Sequence, residues 1–349
     1  MNKILIIKTH AIGDVLMATP AIRELKKAFP GMMIDVLVGK WSEPVLKNNP
    51  YINEIISFDD SILFRNKFIK LLLLLRTIRK KNYQIALILH PSPFIHLLAF
   101  LAGIKQRIGL RRNKRGWFLT KYVDEETSPN YYYPKNFLHL LSCLGIKTEN
   151  YSIDCFYSEV DKSNVENLLT RFNISSEEKK IIIAAGGSHN PKETISARLW
   201  PYENYISLIN KIKSKFPEHR ILLCGSRNDS KINFYIEKNT EEVINLTNKT
   251  SLTELAYLIR CSEAVICNDS SILHIALSQK VPVLCFFGPT SLSSRIPESY
   301  RQFSIQSNEK CSPCYKYAIF PGCSKNMVCM SSITPNAAFE KAIQMLNNR

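Results

Sequence analysis

The chain has 349 residues, of which 45% are hydrophobic and 22% charged, and it carries a formal charge of +16. Its length exceeds what one hydrophobic core usually serves, so two domains are expected, and its composition excludes a disordered chain. No segment reaches the roughly 18 apolar residues a membrane span needs, and the apolar stretch Ile4 to Ile7 stops at Lys8 as a strand would, so a cytoplasmic protein is expected.

In chain order, Lys3 to Lys8 reads as a strand, Val15 to Phe29 as a helix and Met33 to Val38 as a strand. A Leu-rich helix from about Phe64 to Lys80 follows, with its Leu71–Leu75 run read as buried core, and then a strand from Gln84 to Leu89. Phe137 to Leu144 closes a helix with Gly145 at the C-cap. The polar stretch Asn173 to Lys179 reads as a linker, after which the alternation restarts. Strands are expected at Lys180–Ala185, Arg220–Cys224, Ala264–Cys267 and Val281–Phe287, and helices at Tyr202–Phe216, Leu252–Arg260 and Ile272–Ser278. Pro335 to Leu346 is a last helix, expected to cross back onto the first domain. Strands separated by helices indicate βαβ units and parallel sheets, hence an α/β fold with two doubly wound, Rossmann-like domains, 1–172 and 173–349, facing a cleft.

Three segments carry chemistry. In the first, Lys8 to Pro30, a strand ends in a loop with Gly13 and Asp14, and a helix begins. Asp14 stands where a helix cap is expected, and a carboxylate at the mouth of a βα loop is also where a general base belongs; the spacing leaves both readings open. The absence of a GxGxxG fingerprint after this strand argues against a dinucleotide oxidoreductase. In the second, Asn268 to Thr290, an apolar strand runs into Asp269, Ser270 and Ser271, and His274 follows on the first helical turn. The orphan N–H groups of that turn and two hydroxyls suit a diphosphate, although the same residues also suit a plain cap. Gly288-Pro289-Thr290 turns at the same sheet edge. In the third, Ala184 to Tyr205, a strand opens into Gly186, Gly187 and Ser188, where backbone N–H groups approach phosphate closely, and Arg198 precedes Trp200-Pro201.

Taken together, these segments resemble glycosyltransferase family 9, the ADP-heptose:lipopolysaccharide heptosyltransferases. The resemblance rests on Gly13, Asp14, Thr19 and Pro20, on Arg198, Trp200 and Pro201, and on Asp269, Ser270, His274 and Gly288 to Thr290. It implies a GT-B fold and inverting, metal-independent transfer of a sugar from a nucleotide, with an acceptor-binding first domain and a donor-binding second. Asp14 then matches the catalytic base. Gly187, Ser188, Arg198, Asp269, Ser270, Ser271 and His274 match the donor diphosphate and sugar site, and Asp229 stands near the acidic ribose position, where Arg227 competes. Thr9 and Gly13 fall on the acceptor side. Ser271 departs from the family, which most often has glycine there. The resemblance implies no cofactor beyond the co-substrate, ADP-heptose, and an acceptor that is a phosphorylated glycolipid of the lipopolysaccharide core.

The charge is one-sided: residues 1–150 hold 23 Lys+Arg against 11 Asp+Glu, a net +12, and the remainder only +4. Such a balance points to nucleic acid, an anionic membrane or a phosphorylated substrate. Residues 105–121 concentrate it, with Arg111, Arg112, Lys114 and Arg115 beside Trp117-Phe118. No nucleic-acid motif accompanies the arm, so the four are expected to meet acceptor phosphates, with the cytoplasmic face of the inner membrane as the place of action. Cys311, Cys314, Cys323 and Cys329 open with a C-x₂-C spacing compatible with zinc, but the other intervals are irregular, and a structural loop is the preferred reading. Two alternatives remain: another nucleotide sugar used for O-antigen, capsule or protein glycosylation, and a nucleic-acid- or membrane-binding protein without activity.

Overall fold

The structure, a computed structural model, describes residues 3–63, 68–187, 189, 195–315 and 319–348. The chain divides into two compact units, Met1–Thr127 with Tyr133–Phe156, and Ser128–Tyr132 with Tyr157–Arg349.

The first unit runs β1 (Lys3–Ile7), α1 (Ile12–Leu16), α2 (Thr19–Ala28), β2 (Met33–Gly39), β3 (Glu54–Phe58), α3 (Phe68–Lys80), β4 (Ile85–Ile88), α4 (Pro93–Leu101), β5 (Gln106–Arg111), β6 (Lys121–Asp124) and α5 (Pro134–Leu140). Its six strands pair in the order β3-β2-β1-β4-β5-β6, all parallel. Alternate residues of each strand face one layer, so Leu5 and Ile7, with Ala86 and Ile88, meet Leu74, Leu75 and Ile78 of α3 and Ile95, Leu98 and Ala99 of α4 in one buried cluster. The helix expected over Val15 to Phe29 is two helices, α1 and α2, broken at Met17-Ala18. Gly145 ends the turn after α5 in the left-handed conformation expected of a C-cap, at φ 80°.

The second unit runs α6 (Glu159–Arg171), β7 (Lys180–Ala184), α7 (Tyr202–Lys215), β8 (Arg220–Leu223), α8 (Ser230–Lys238), β9 (Val243–Asn245), α9 (Leu252–Arg260), β10 (Ala264–Asn268), α10 (Ser271–Ser278), β11 (Val283–Phe287), α11 (Leu292–Arg295), β12 (Ile305–Gln306), α12 (Val328–Ser331) and α13 (Pro335–Asn347). The strand order β12-β11-β10-β7-β8-β9 is the same topology read from the other edge. One face of this sheet, including Ile181, Ile183, Ile266 and Phe286, packs on Trp200, with Tyr205 and Leu208 of α7 and Ala338 and Ala342 of α13.

One expectation about the boundary changes. The stretch 173–179 lies inside the second unit, joining α6 to β7, because α6 packs on α9 and Asp161 accepts the Thr253 hydroxyl at 2.8 Å. The last helix, α13, packs on α7 and β11 of its own unit.

Each sheet reverses its winding direction at one place, between β1 and β4 and between β7 and β10. There the two neighbouring loops leave in opposite directions, and the carboxyl ends of the strands open a crevice where ligands of such folds bind.

Candidate active site

At the β7–β10 crevice, Asn268 organises the backbone. It closes β10, is 1% exposed, and uses its whole amide: Oδ1 accepts the Trp200 N–H at 3.0 Å and the Tyr205 hydroxyl at 3.1 Å, while Nδ2 donates to the carbonyls of Ala185 at 2.7 Å and Gly186 at 3.2 Å. It thereby ties the loop after β7 and the turn bearing Arg198 to the start of α10. Gly187 has φ +96°, and a Cβ built there would stand 2.5 Å from Cβ of Ser270, so only glycine lets the loop touch that helix. Ser270 is the N-cap residue of α10, in extended conformation, yet its side chain makes no capping bond, and its Oγ is buried without a hydrogen-bond partner. The first-turn N–H groups of α10 therefore lack a side-chain cap and keep their partial positive charge for a ligand. Ser271 opens the helix, half-buried, and His274 lies 3% exposed within it.

Arg198 sets its Nη1 3.8 Å from Oδ2 of Asp269 and its guanidinium 4.8 Å from the ring centre of Tyr315. Asp269 is 4% exposed. Burial alone would raise its carboxyl pKa, but the fields of Arg198, Arg295 and His274 overcome that and hold it below the ordinary value, so the group is an anion at neutral pH. Two guanidinium groups against one carboxylate leave an excess of positive charge, which suits a diphosphate. Tyr315 is held by the loop that carries the cysteines. The N–H groups of Cys314 and Tyr315 both donate to the Pro289 carbonyl, at 3.0 and 2.8 Å, and the Ser312 hydroxyl donates to the Gly288 carbonyl at 2.6 Å. Cys329 and Met330 pack against Gly288, whose added Cβ would stand 2.5 Å from the Met330 sulfur. Burial, with the nearby thiols Cys311, Cys314 and Cys323, pushes the Cys329 thiol up to about 11. Among the described residues no group of His, Cys, Asp or Glu is arranged to hold a metal ion.

Two donor-side expectations fare differently. Ser188 lies outside the described residues. Asp229, expected at a ribose, is 5% exposed and already engaged: Oδ1 accepts the Gly187 N–H at 2.9 Å, and Oδ2 accepts the N–H and hydroxyl of Ser226, each at 2.7 Å. Its carboxylate caps the turn before α8 and braces the glycine loop.

At the β1–β4 crevice, the chain leaves β1 through Lys8, 4% exposed, and Thr9, fully buried with no hydrogen-bond partner for its Oγ1. His10 sits at φ 90°, strained for a residue with a side chain, and its carbonyl is pinned by the Ser42 hydroxyl at 2.6 Å. Its ring meets His90, just past β4, edge-on at 4.3 Å. Burial, aided by His10, Lys8 and Arg112, holds His90 well below the usual histidine range, so it is neutral. The N-cap of α1 is Ala11, with no side-chain capping bond, and Gly13 is buried in the first turn. Asp14 is the third helical residue, partly exposed, and not the cap.

Asp14 lies within electrostatic reach of Tyr133, a phenol that burial, Glu125 and Asp14 together keep protonated. The Tyr133 hydroxyl donates to Glu125 at 2.7 Å. The Glu125 side chain is fully buried and also accepts both Nε and Nη2 of Arg112, the latter at 2.7 Å. One residue along, Arg111 forks onto Asp124 at 2.6 and 2.7 Å and lies 3.7 Å over the Tyr122 ring. The basic arm therefore splits in its pairing. Arg111 and Arg112 neutralise neighbouring carboxylates, while Lys114 and Arg115 stay exposed on a tight turn. Parallel pairing of β5 with β6 sets Arg111 opposite Asp124, so two basic residues followed thirteen positions later by two acidic ones were the available signal for this network. Lys8, His10, His90, Glu125, Tyr133 and Asn268 were missed, because each acts through a neighbour distant in sequence.

The profile of glycosyltransferase family 9 (heptosyltransferase) matches residues 71–322. The chain is 28% identical over 315 residues to lipopolysaccharide heptosyltransferase 2 of Escherichia coli, covering 86% of each sequence. Among solved structures, a family 9 glycosyl transferase from Veillonella parvula superposes with TM-score 0.84 at 21% identity, covering 100% of this chain and 98% of that one. The E. coli heptosyltransferase WaaC, solved with ADP-2-deoxy-2-fluoro heptose, superposes with TM-score 0.72 at 17% identity, covering 99% and 100%.

Proposed function

Since the chain belongs to glycosyltransferase family 9 and is a glycosyltransferase, we propose that it moves heptose from ADP-heptose onto a phosphorylated lipopolysaccharide core, with inversion at the anomeric carbon. The observation that carries this reading is the uncapped start of α10, flanked by Gly187, the buried Ser270 hydroxyl, and the Arg198–Asp269 pair. Such a cradle suits the diphosphate of a nucleotide sugar and needs no metal ion. On the acceptor side, Asp14 accepts the proton of the attacking hydroxyl as its oxygen bonds to the anomeric carbon. The bond from that carbon to the diphosphate oxygen breaks, and the departing ADP carries away the bonding pair. Base catalysis of this kind supplies about 10²–10⁴-fold. The fixed positive groups around α10 meet the charge that grows on the leaving oxygen.

The glycolipid acceptor binds through Thr9 and Gly13 near Asp14 and through Lys114 and Arg115 on the exposed turn, and because it is anchored in lipid, the enzyme works at the cytoplasmic face of the inner membrane. The test is transfer by purified protein from ADP-heptose to a heptose-free core glycolipid, read by mass spectrometry. No mass gain on the glycolipid, with tight ADP binding intact, would remove the acceptor assignment. Ser271 in the cradle and the engagement of Asp229 favour examining other nucleotides. Calorimetry with ADP, UDP and GDP decides the matter, and a preference for UDP or GDP would move the chain to another nucleotide sugar.

A further inference from the structure

A helix on the surface of a water-soluble protein turns its polar side outward. α3 and α4 do not. Both bury one stripe against the same face of the first sheet, yet their outer faces are also apolar: Phe68 is 68% exposed, Ile69 75% and Leu73 54% on α3, and Phe94 41% and Phe100 48% on α4. The Leu71–Leu75 run, expected in the core, is thus only partly buried. The two helices meet at their C-terminal ends. Arg79 at the end of α3 donates to the Leu101 carbonyl at the end of α4 at 2.9 Å, and Phe100 meets the Phe118 ring at 5.4 Å. Beside Phe118 stands Trp117, 77% exposed.

Charge identifies the occupant. From Ser61 to Val123 the sequence has no Asp or Glu at all and fourteen Lys and Arg. Arg76 and Lys80, both exposed, extend the outer stripe of α3 at helical spacing from Leu72, and Lys105 is exposed just past α4. An apolar helix face rimmed by lysine, arginine and tryptophan fits the boundary between headgroups and acyl chains of an anionic bilayer. A second copy of the chain fits poorly, because, although Asp59 and Glu54 pair with Lys70 and Lys81 at its edge, a two-fold contact would set the remaining excess of lysine and arginine against itself. Among the described residues no helix is long and apolar enough to cross a membrane, so the helices would lie in the interface.

We propose that the outer face of α3 and α4, with Trp117, seats the chain on an anionic lipid surface. The proposal rests on the lipid-anchored acceptor of the preceding reading for its purpose, but its test contains no acceptor. The purified full chain is floated with vesicles of equal parts phosphatidylglycerol and phosphatidylcholine, and with phosphatidylcholine alone. The wild type should bind the anionic vesicles about tenfold or more better than the neutral ones. Two variants, Ile69→Gln/Leu73→Gln/Phe94→Gln and Arg76→Gln/Lys80→Gln/Lys105→Gln, should each lose about tenfold or more of that binding. The circular-dichroism spectrum, the thermal unfolding profile and the ADP affinity of both should stay at the wild-type values, which shows that both units are folded. A wild type that does not float, or variants that float as well as it does, overturn the proposal. So does a wild-type dimer that the first variant converts to monomer in sedimentation velocity, because the face would then be a contact between copies. Failure of glycolipid transfer with vesicle binding intact would overturn the acceptor reading and leave this surface standing.

Discussion

Asp14 and Asp269 both stand past the carboxyl end of a strand, and the proposed reaction gives them opposite duties. Asp14 is partly exposed and within electrostatic reach of the protonated Tyr133 phenol, and in that reaction it takes the acceptor's proton. Asp14→Asn keeps the shape but removes the proton acceptor. Turnover should drop about 10²–10⁴-fold while thermal unfolding and ADP affinity stay as in the wild type. Full specific activity in that variant would return Asp14 to a structural role. Asp269 is buried, and burial alone would raise its pKa, but Arg198, Arg295 and His274 depress it below 3.8. A carboxyl depressed in the folded state contributes stability that is present above its ordinary pKa and lost as pH falls through its folded value. The wild type should therefore lose stability below about pH 4, and Asp269→Asn should show a shallower acid slope in denaturant titrations at stepped pH.

At the scale of elements, the proposed donor cradle is a contact between a loop and a helix end. Gly187 touches Ser270 because both loops leave adjacent parallel strands, β7 and β10, and Asn268 fastens them. Gly187→Ala would place a methyl carbon 2.5 Å from Cβ of Ser270 at a φ of +96°. The strain costs about 1–3 kcal/mol, and relieving it moves the loop away from α10. ADP affinity should fall about tenfold or more by calorimetry, a loss of roughly 1.4 kcal/mol. Unchanged affinity would place the diphosphate elsewhere.

At the scale of the whole molecule, the positive charge is concentrated in the first 150 residues and divided between tasks. Arg111 and Arg112 hold carboxylates, whereas Lys114 and Arg115 face solvent. Lys114→Ser/Arg115→Ser should raise the KM for a phosphorylated acceptor and leave donor KM unchanged. The effect should shrink with salt, since the screening length falls from about 10 Å at 0.1 M to about 3 Å at 1 M. Arg111→Ser/Arg112→Ser should mainly destabilise, because Glu125 would be left buried without its cation. An acceptor KM insensitive to both salt and the Lys114/Arg115 change would free that turn of any substrate role.

The sequence by itself determined the α/β class, the four central strands of the second sheet with the helices α7, α9, α10 and α13, and the segments around Asp14, Arg198 and Asp269. Hydrophobic periodicity and loop chemistry are local properties, and neighbouring residues carry them. It missed α4, where two apolar faces leave no period to read, and it merged α1 with α2, although Pro20 in the first turn of α2 was the available signal for the break at Met17-Ala18. Only the tertiary structure decided that Asp229 braces a glycine loop, that Arg112 serves Glu125, and that His90 stays neutral. Parallel pairing brings such partners together across dozens of residues, and burial then sets their charge. Neither register nor burial is written in any one segment of the chain.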